Sequence, residues 1–164
     1  MPYLVTKYST MSRPHTFLCI ALYFKGVEFI KACKAAGNTV FLLTKSSLAN
    51  EEWPRDSIDD FFYLDSEDNS PENIHNAIKG LAYIMRNQHI DRVVALDDFD
   101  VEKAAAIRED FRIPGMGQTT ARNFRDKLAM RAKAEEQGIP IPPFSALFND
   151  QDLNQYLHNA TGPW

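Results

Sequence analysis

Apolar positions along this chain fall into two kinds of run. Thr16 to Leu22 is continuously hydrophobic, the pattern of a parallel strand covered on both faces. Lys25 to Ala36 changes to a helical period, with Val27, Ile30 and Cys33 at i, i+3 spacing, and Gly37-Asn38 stops it as a left-handed helix cap. Thr39 to Leu43 predicts a second strand, Phe61 to Leu64 a third and Asp91 to Leu96 a fourth. Asn50 to Asp60 is acidic and irregular, with a short helical turn after Trp53-Pro54, and Asp65 to Pro71 is a polar turn cluster. Pro71 to Gln88 is the clearest helix, with Ile74, Ala77, Ile78, Leu81, Ala82 and Met85 on one face. Val101 to Phe111 predicts the next.

Strands separated by helices imply crossovers and a parallel sheet. The expected fold is a small, doubly wound α/β domain spanning residues 15–115, behind a loose leader at 1–14 in which Met11 is an alternative start. Ile113-Pro114-Gly115-Met116-Gly117 cannot continue a helix and marks the exit from that domain. Thr119 or Thr120 then caps a new helix, with Ala121, Phe124, Leu128 and Ala132 on one side and Arg122, Arg125, Lys127, Arg131 and Lys133 elsewhere. This connecting basic helix and its hinge occupy 116–143. After the break at Gly138 to Phe144, GIPIPPF, a final segment at 144–164 carries a helix from Asp150 to Asn159.

Composition adds limits. A chain of 164 residues with 45% hydrophobic and 12% aromatic content builds a real core. Its net charge of -4 gives no general case for nucleic acid or an anionic membrane as partner. The run Phe17 to Phe24 follows Lys7 and Arg13 but lacks a small-residue cleavage site, and a membrane span needs ~20 apolar residues. Cys19 and Cys33 read as small apolar residues in a reducing, cytoplasmic compartment rather than a disulfide.

Chemistry has two candidate locations. Asp97-Asp98-Phe99-Asp100-Val101-Glu102 lies at the carboxyl end of the fourth strand, where open parallel sheets bind ligands. Asp97, Asp98 and Asp100 are candidate substrate contacts. The plainer reading is that Asp98 or Asp100 caps the following helix. A phosphoacceptor site is disfavoured, because Leu22-Tyr23-Phe24-Lys25 stands where its acidic pair belongs. The turn after the first strand holds one glycine, Gly26, so neither GxGxxG nor GxxxxGK[ST] is present. Lys25 and Gly26 at a helix start suit an anion, although a solvated lysine is the simpler reading. From Thr119 to Lys133, five bases face one acid, a local field suited to polyphosphate or simply a solvated helix face. His15, His75, His89 and His158 show no metal-ligand spacing.

Taken together, DDFDVE at a strand end, IPGMGQTTARNFRDKLAMR and EEQGIPIPPF resemble the N-terminal part of an ATP-grasp ligase of the biotin carboxylase and D-alanine ligase type. Asp126-Lys127 matches the family's "DK" and Gly138 to Pro142 its G-(I/V)-P-x-P. The resemblance covers about residues 16 to 164 and is specific from Gly115 to Phe144. It implies a Rossmann-like pre-ATP-grasp domain followed by the start of an ATP-grasp subdomain, with Lys127 as the first of two lysines on the ATP phosphates. Thr161-Gly162-Pro163-Trp164 is similar to the turn before the second. The resemblance further implies ATP and Mg2+ as cofactors of a full-length parent, none held tightly by this chain, and activation of a carboxylate as an acyl phosphate. The partners implied are a C-terminal ATP-grasp lobe and a small-molecule substrate, with a homodimer left open. The chain alone is then expected to be inactive. The alternative is a stand-alone, non-catalytic α/β module that binds a small ligand or a partner.

Overall fold

The computed structural model describes residues 13–65, 71–146 and 148–159, with the side chains of 71–73 excepted. Most of the leader, the centre of the DSEDNSP turn, Leu147 and the GPW turn lie outside the described residues. The chain divides into two compact units, Met1–Gly115 and Met116–Trp164.

The first unit is built on four parallel strands: β1 (Thr16–Ala21), β2 (Thr39–Lys45), β3 (Asp60–Leu64) and β4 (Arg92–Ala95). Their order is β3-β2-β1-β4, so β1 is central and the chain changes direction of travel between β1 and β4. Alternation along the strands makes two cores. Leu18, Ile20 and Leu22 face one side with Phe41, Leu43 and Val93, and meet Leu81 of α2 (Pro71–Ile84) and Ala104 and Ile107 of α3 (Val101–Phe111). Cys19 and Ala21 face the other side with Val40 and Leu42, where Ile30 and Cys33 of α1 (Val27–Ala35), Trp53 and Ile58 cover them. The doubly wound α/β arrangement expected from the sequence is therefore present. The short turn after Pro54 is a 3₁₀ turn at Arg55–Ser57. Both cysteines are free and buried, and burial, with Cys33 nearby, pushes the Cys19 thiol up to about 12, the state of an inert apolar filler.

Two helical expectations change. The helix at Pro71 ends at Ile84 rather than Gln88, because the bonds tighten to i, i+3: Arg86 N donates to Tyr83 O and Asn87 N to Ile84 O. Its apolar face narrows as well, since Ala82 is exposed. The α1 terminus behaves as read, with Gly37 at φ 84 and a Schellman pair, Gly37 N to Lys34 O and Asn38 N to Cys33 O.

The second unit contains α4 (Gln118–Arg125), α5 (Lys127–Glu136) and α6 (Asp150–Asn159). The sequence predicted one basic helix where the structure has two. Asp126 interrupts them in an extended conformation (ψ 114), and its Oδ1 accepts from Leu128 N (2.9 Å) and Ala129 N (3.2 Å). A short carboxylate competes for backbone donors and so favours a cap over a helix interior. Gly117, not Thr119 or Thr120, precedes the first turn of α4. The single apolar side also dissolves, with Ala121 buried and Phe124 61% exposed. Gly138 (φ 67) closes α5 in a second Schellman pair.

Candidate functional site

The strand order reverses between β1 and β4, and a crevice at such a point is where open α/β sheets take ligands. β1 leaves the sheet through Leu22 to Gly26 into α1, and β4 leaves through Leu96 and Asp97 into a 3₁₀ turn at Asp98–Asp100 that runs on into α3. The three acids named from the sequence come together here but do different things. Asp100 stands at the N-cap position of α3 but makes no side-chain cap bond there; the side-chain cap belongs to Asp97, at the head of the 3₁₀ turn, whose Oδ1 accepts from Phe99 N at 3.0 Å. The other Asp97 oxygen forms an ion pair with Lys25 Nζ, so Lys25 remains the solvent-exposed lysine the sequence suggested but has a buried carboxylate as its partner. Asp100 is fully buried and reaches back across the sheet, where its Oδ2 accepts from Leu22 N at 3.0 Å. Asp98 is exposed to solvent.

The electrostatics follow from these partners. Burial pushes the Asp97 carboxyl up, but the Lys25 ammonium and the Phe99 N–H outweigh it and hold the group below the usual carboxylate range. The same pair raises Lys25. Asp100 goes the other way, because burial outweighs the Leu22 N–H and the attraction of Lys103 and Lys45. Sequence reading named Lys25 as an anion contact but missed its pairing with Asp97 and the aromatic wall beside it. The Tyr23 and Phe99 rings pack at 5.4 Å, Lys45 Nζ lies 5.1 Å over Tyr23, and Phe24 meets Trp53 edge-on at 4.8 Å. The one readable signal was Gly26, a lone glycine between a strand and a helix.

In the second unit, Lys127 is the first residue of α5 and is exposed. Asp126 already satisfies two of the first-turn amides, so an anion here would meet the Lys127 ammonium rather than a bare helix terminus. The cap gives a direct expectation: Asp126→Ala should destabilise the second unit by about 1 kcal/mol in a thermal melt. A helical circular-dichroism signal that rises instead, as α4 and α5 fuse, would refute that role.

Among the described residues no group of three or more His, Cys, Asp or Glu side chains is placed to hold a metal ion, and no helix is long and apolar enough to cross a membrane. His15 and His89 lie against Asp91 at 3.8 and 3.3 Å. The Thr16 N–H holds Asp91 below its ordinary range against burial, with Arg13 adding to the effect. Asp59 is also low, because Lys34 and the Val40 N–H outweigh its burial.

Depressed carboxyls contribute stability that is present above their unfolded pKa and lost as pH falls through the folded one. Acid unfolding should therefore set in below about pH 4. Asp91→Asn should flatten the slope there in urea melts taken across that range; an unchanged slope would remove Asp91 from the account.

No protein-family model matches the chain, and no curated protein does. Solved structures do. An L-amino acid ligase from Bacillus licheniformis superposes with a TM-score of 0.68 at 18% identity, covering 83% of this chain and 34% of that one. A phosphoribosylglycinamide synthetase from Anaerococcus prevotii gives 0.64 at 17% identity, covering 92% and 36%. An N5-carboxyaminoimidazole synthetase from Staphylococcus aureus, complexed with ADP, gives 0.57 at 16% identity, covering 88% and 35%. The shared class is a parallel α/β domain followed by a helical segment. The fold is that of the N-terminal region of ATP-grasp ligases, and the chain spans about a third of the length of these relatives.

Proposed function

We propose that this chain supplies the N-terminal domain and the first nucleotide-facing lysine of an ATP-dependent ligase that activates a carboxylate as an acyl phosphate. The observation that carries the reading is the combination of a β3-β2-β1-β4 parallel sheet with Lys127 exposed directly after the capping Asp126. A compact ammonium at that position suits a phosphate oxygen that moves during transfer. ATP fits in part: Lys127 would hold a phosphate, while the residues described offer no magnesium cage. That metal and a C-terminal ATP-grasp lobe belong to the rest of the proposed machine. In the β1/β4 crevice, Asp98 and the Lys25–Asp97 pair are the proposed contacts to a small-molecule substrate, and buried Asp100 shapes the turn behind them.

Two measurements test this. The 164-residue protein, incubated with magnesium, ATP and a panel of amino acids, should release no phosphate; release that vanishes in Lys127→Ala would overturn its inactivity. The reading frame beyond the Trp164 codon should continue into a hydrophobic strand carrying a second lysine. A stop codon there with no neighbouring fragment would favour the other reading, a non-catalytic binding module. That alternative draws on the first unit having a core on each face of its own sheet.

A further inference from the structure

At the opposite end of β4 from Asp97, about 16 Å away at ~3.3 Å per residue from Arg92, the first unit has a cavity of about 280 Å³. Its apolar lining includes Met85, Ile90, Phe111 and Ile113, with Ile90 and Ile113 buried. The polar lining is Arg13, Arg92, Arg112 and His89 against one acid, Asp91. Asp91 is already engaged, by Arg13 Nη2 at 2.9 Å and Thr16 N at 2.9 Å.

The other two arginines are fixed by neutral carbonyls. Arg92 Nη1 donates to Asp91 O at 2.7 Å, and Arg112 Nη1 to Glu109 O and Asp110 O at 3.0 and 2.8 Å. A carbonyl orients a guanidinium without cancelling its charge, although the carboxyl end of α3 offsets part of it at Arg112. Arg112 is also the one non-glycine residue with positive φ (58°) among the described residues. Glycine is the default at that helix-terminal position, so the chain tolerates backbone strain there while keeping an arginine at the cavity.

We infer that this cavity binds a small amphipathic anion, a carboxylate, sulfonate or phosphate on an apolar body, at a site separate from the β1/β4 crevice. The anion lies between the Arg92 and Arg112 guanidiniums and the apolar body lies on Ile90, Phe111 and Ile113. The inference does not depend on the ligase reading.

The test titrates the 164-residue chain with naphthalene-2-sulfonate and follows backbone amides by NMR. Inorganic phosphate and 2-naphthol probe the two halves of the chemistry separately. The sulfonate should saturate one site and move the amides of His89 to Arg92 and Phe111 to Ile113. Arg92→Gln and Arg112→Gly should each weaken it about tenfold, the loss of one charge-assisted contact. Lys79→Ala, on the exposed side of α2, should leave binding unchanged. Arg112→Gly also separates binding from folding, because glycine suits the positive φ and the Tm should hold or rise. Shifts that localise elsewhere, wild-type affinity in both arginine variants, or equal binding of 2-naphthol or phosphate alone would each overturn the inference.

Discussion

Gly26→Ala is expected to destabilise the first unit by about 3 kcal/mol, the sum of a left-handed backbone penalty and overpacking. Gly26 stands before α1 at φ 82, and a Cβ there would lie 2.5 Å from Leu96 Cδ1 and 2.7 Å from Leu96 Cβ. Leu96 cannot retreat with its backbone, because its amide is bonded to Ile20 O at 2.8 Å in the sheet. The clash would also fall between the two partners of the site's ion pair, since Lys25 precedes Gly26 and Asp97 follows Leu96. Gly37→Ala is the control: its φ of 84 is equally left-handed, but nothing lies within 4 Å of a new Cβ. That variant should lose only about 1 kcal/mol. Urea midpoints at constant m-value decide the matter, and equal losses in the two variants would mean that the Leu96 approach is unimportant.

This close approach also shows where sequence reading stops. Periodicity found each of the four described strands, because a continuous apolar run such as Leu18 to Leu22 has to be covered on both faces. It set Val101–Phe111 at both ends, because an acidic start and the Pro114-Gly115 break frame it, and it set the start of α6 at Asp150. It could not see which helix residue would be recruited from a distance. The partner of Asp100 is an amide 78 positions away, and no local pattern announces such a bond. The same limit hid the division of labour among three neighbouring aspartates: Asp100 holds the N-cap position of α3, but its side chain goes to the distant Leu22 amide, and Asp97 caps the 3₁₀ turn before it. Asp126 was different. Its tendency to cap was local and readable, yet the run of bases on both sides made one long helix look continuous.

The candidate site was legible to the same degree. The sequence placed acids at the carboxyl end of β4, and the sheet order puts them at the reversal between β1 and β4. What it lacked was the other wall. Tyr23, Lys25 and the ring of Phe99 become a site only when β1 and β4 pair, in the register Phe17 to Arg92 through Ile20 to Ala95. Each of those residues taken alone reads as surface.

Asp100 gives the second large effect. Asp100→Ala should cost about 3 kcal/mol, because it strands the buried Leu22 N–H and opens a void at the head of α3. Asp100→Asn should cost less, since an amide oxygen can take the same bond and the chain no longer buries a charge, although its Nδ2 would sit where the buried Oδ1 has no partner. The linkage fixes the sign. Burial raises the Asp100 pKa net of the pull from Lys103 and Lys45, so the folded state binds a proton more tightly than the unfolded one. Stability from this group is then greatest at low pH and declines as pH rises from the ordinary carboxylate value through the raised one. Asn, which mimics the neutral acid, escapes that decline. The stability of Asp100→Asn relative to wild type should therefore improve between about pH 4 and pH 7, whereas Asp100→Ala should stay well below both. Urea melts of the three proteins at the two pH values give the answer. Should Asn fall as far as Ala at pH 7, the charge itself would be the holding interaction through Lys103, and the carboxylate would have to be read as one half of a buried ion pair.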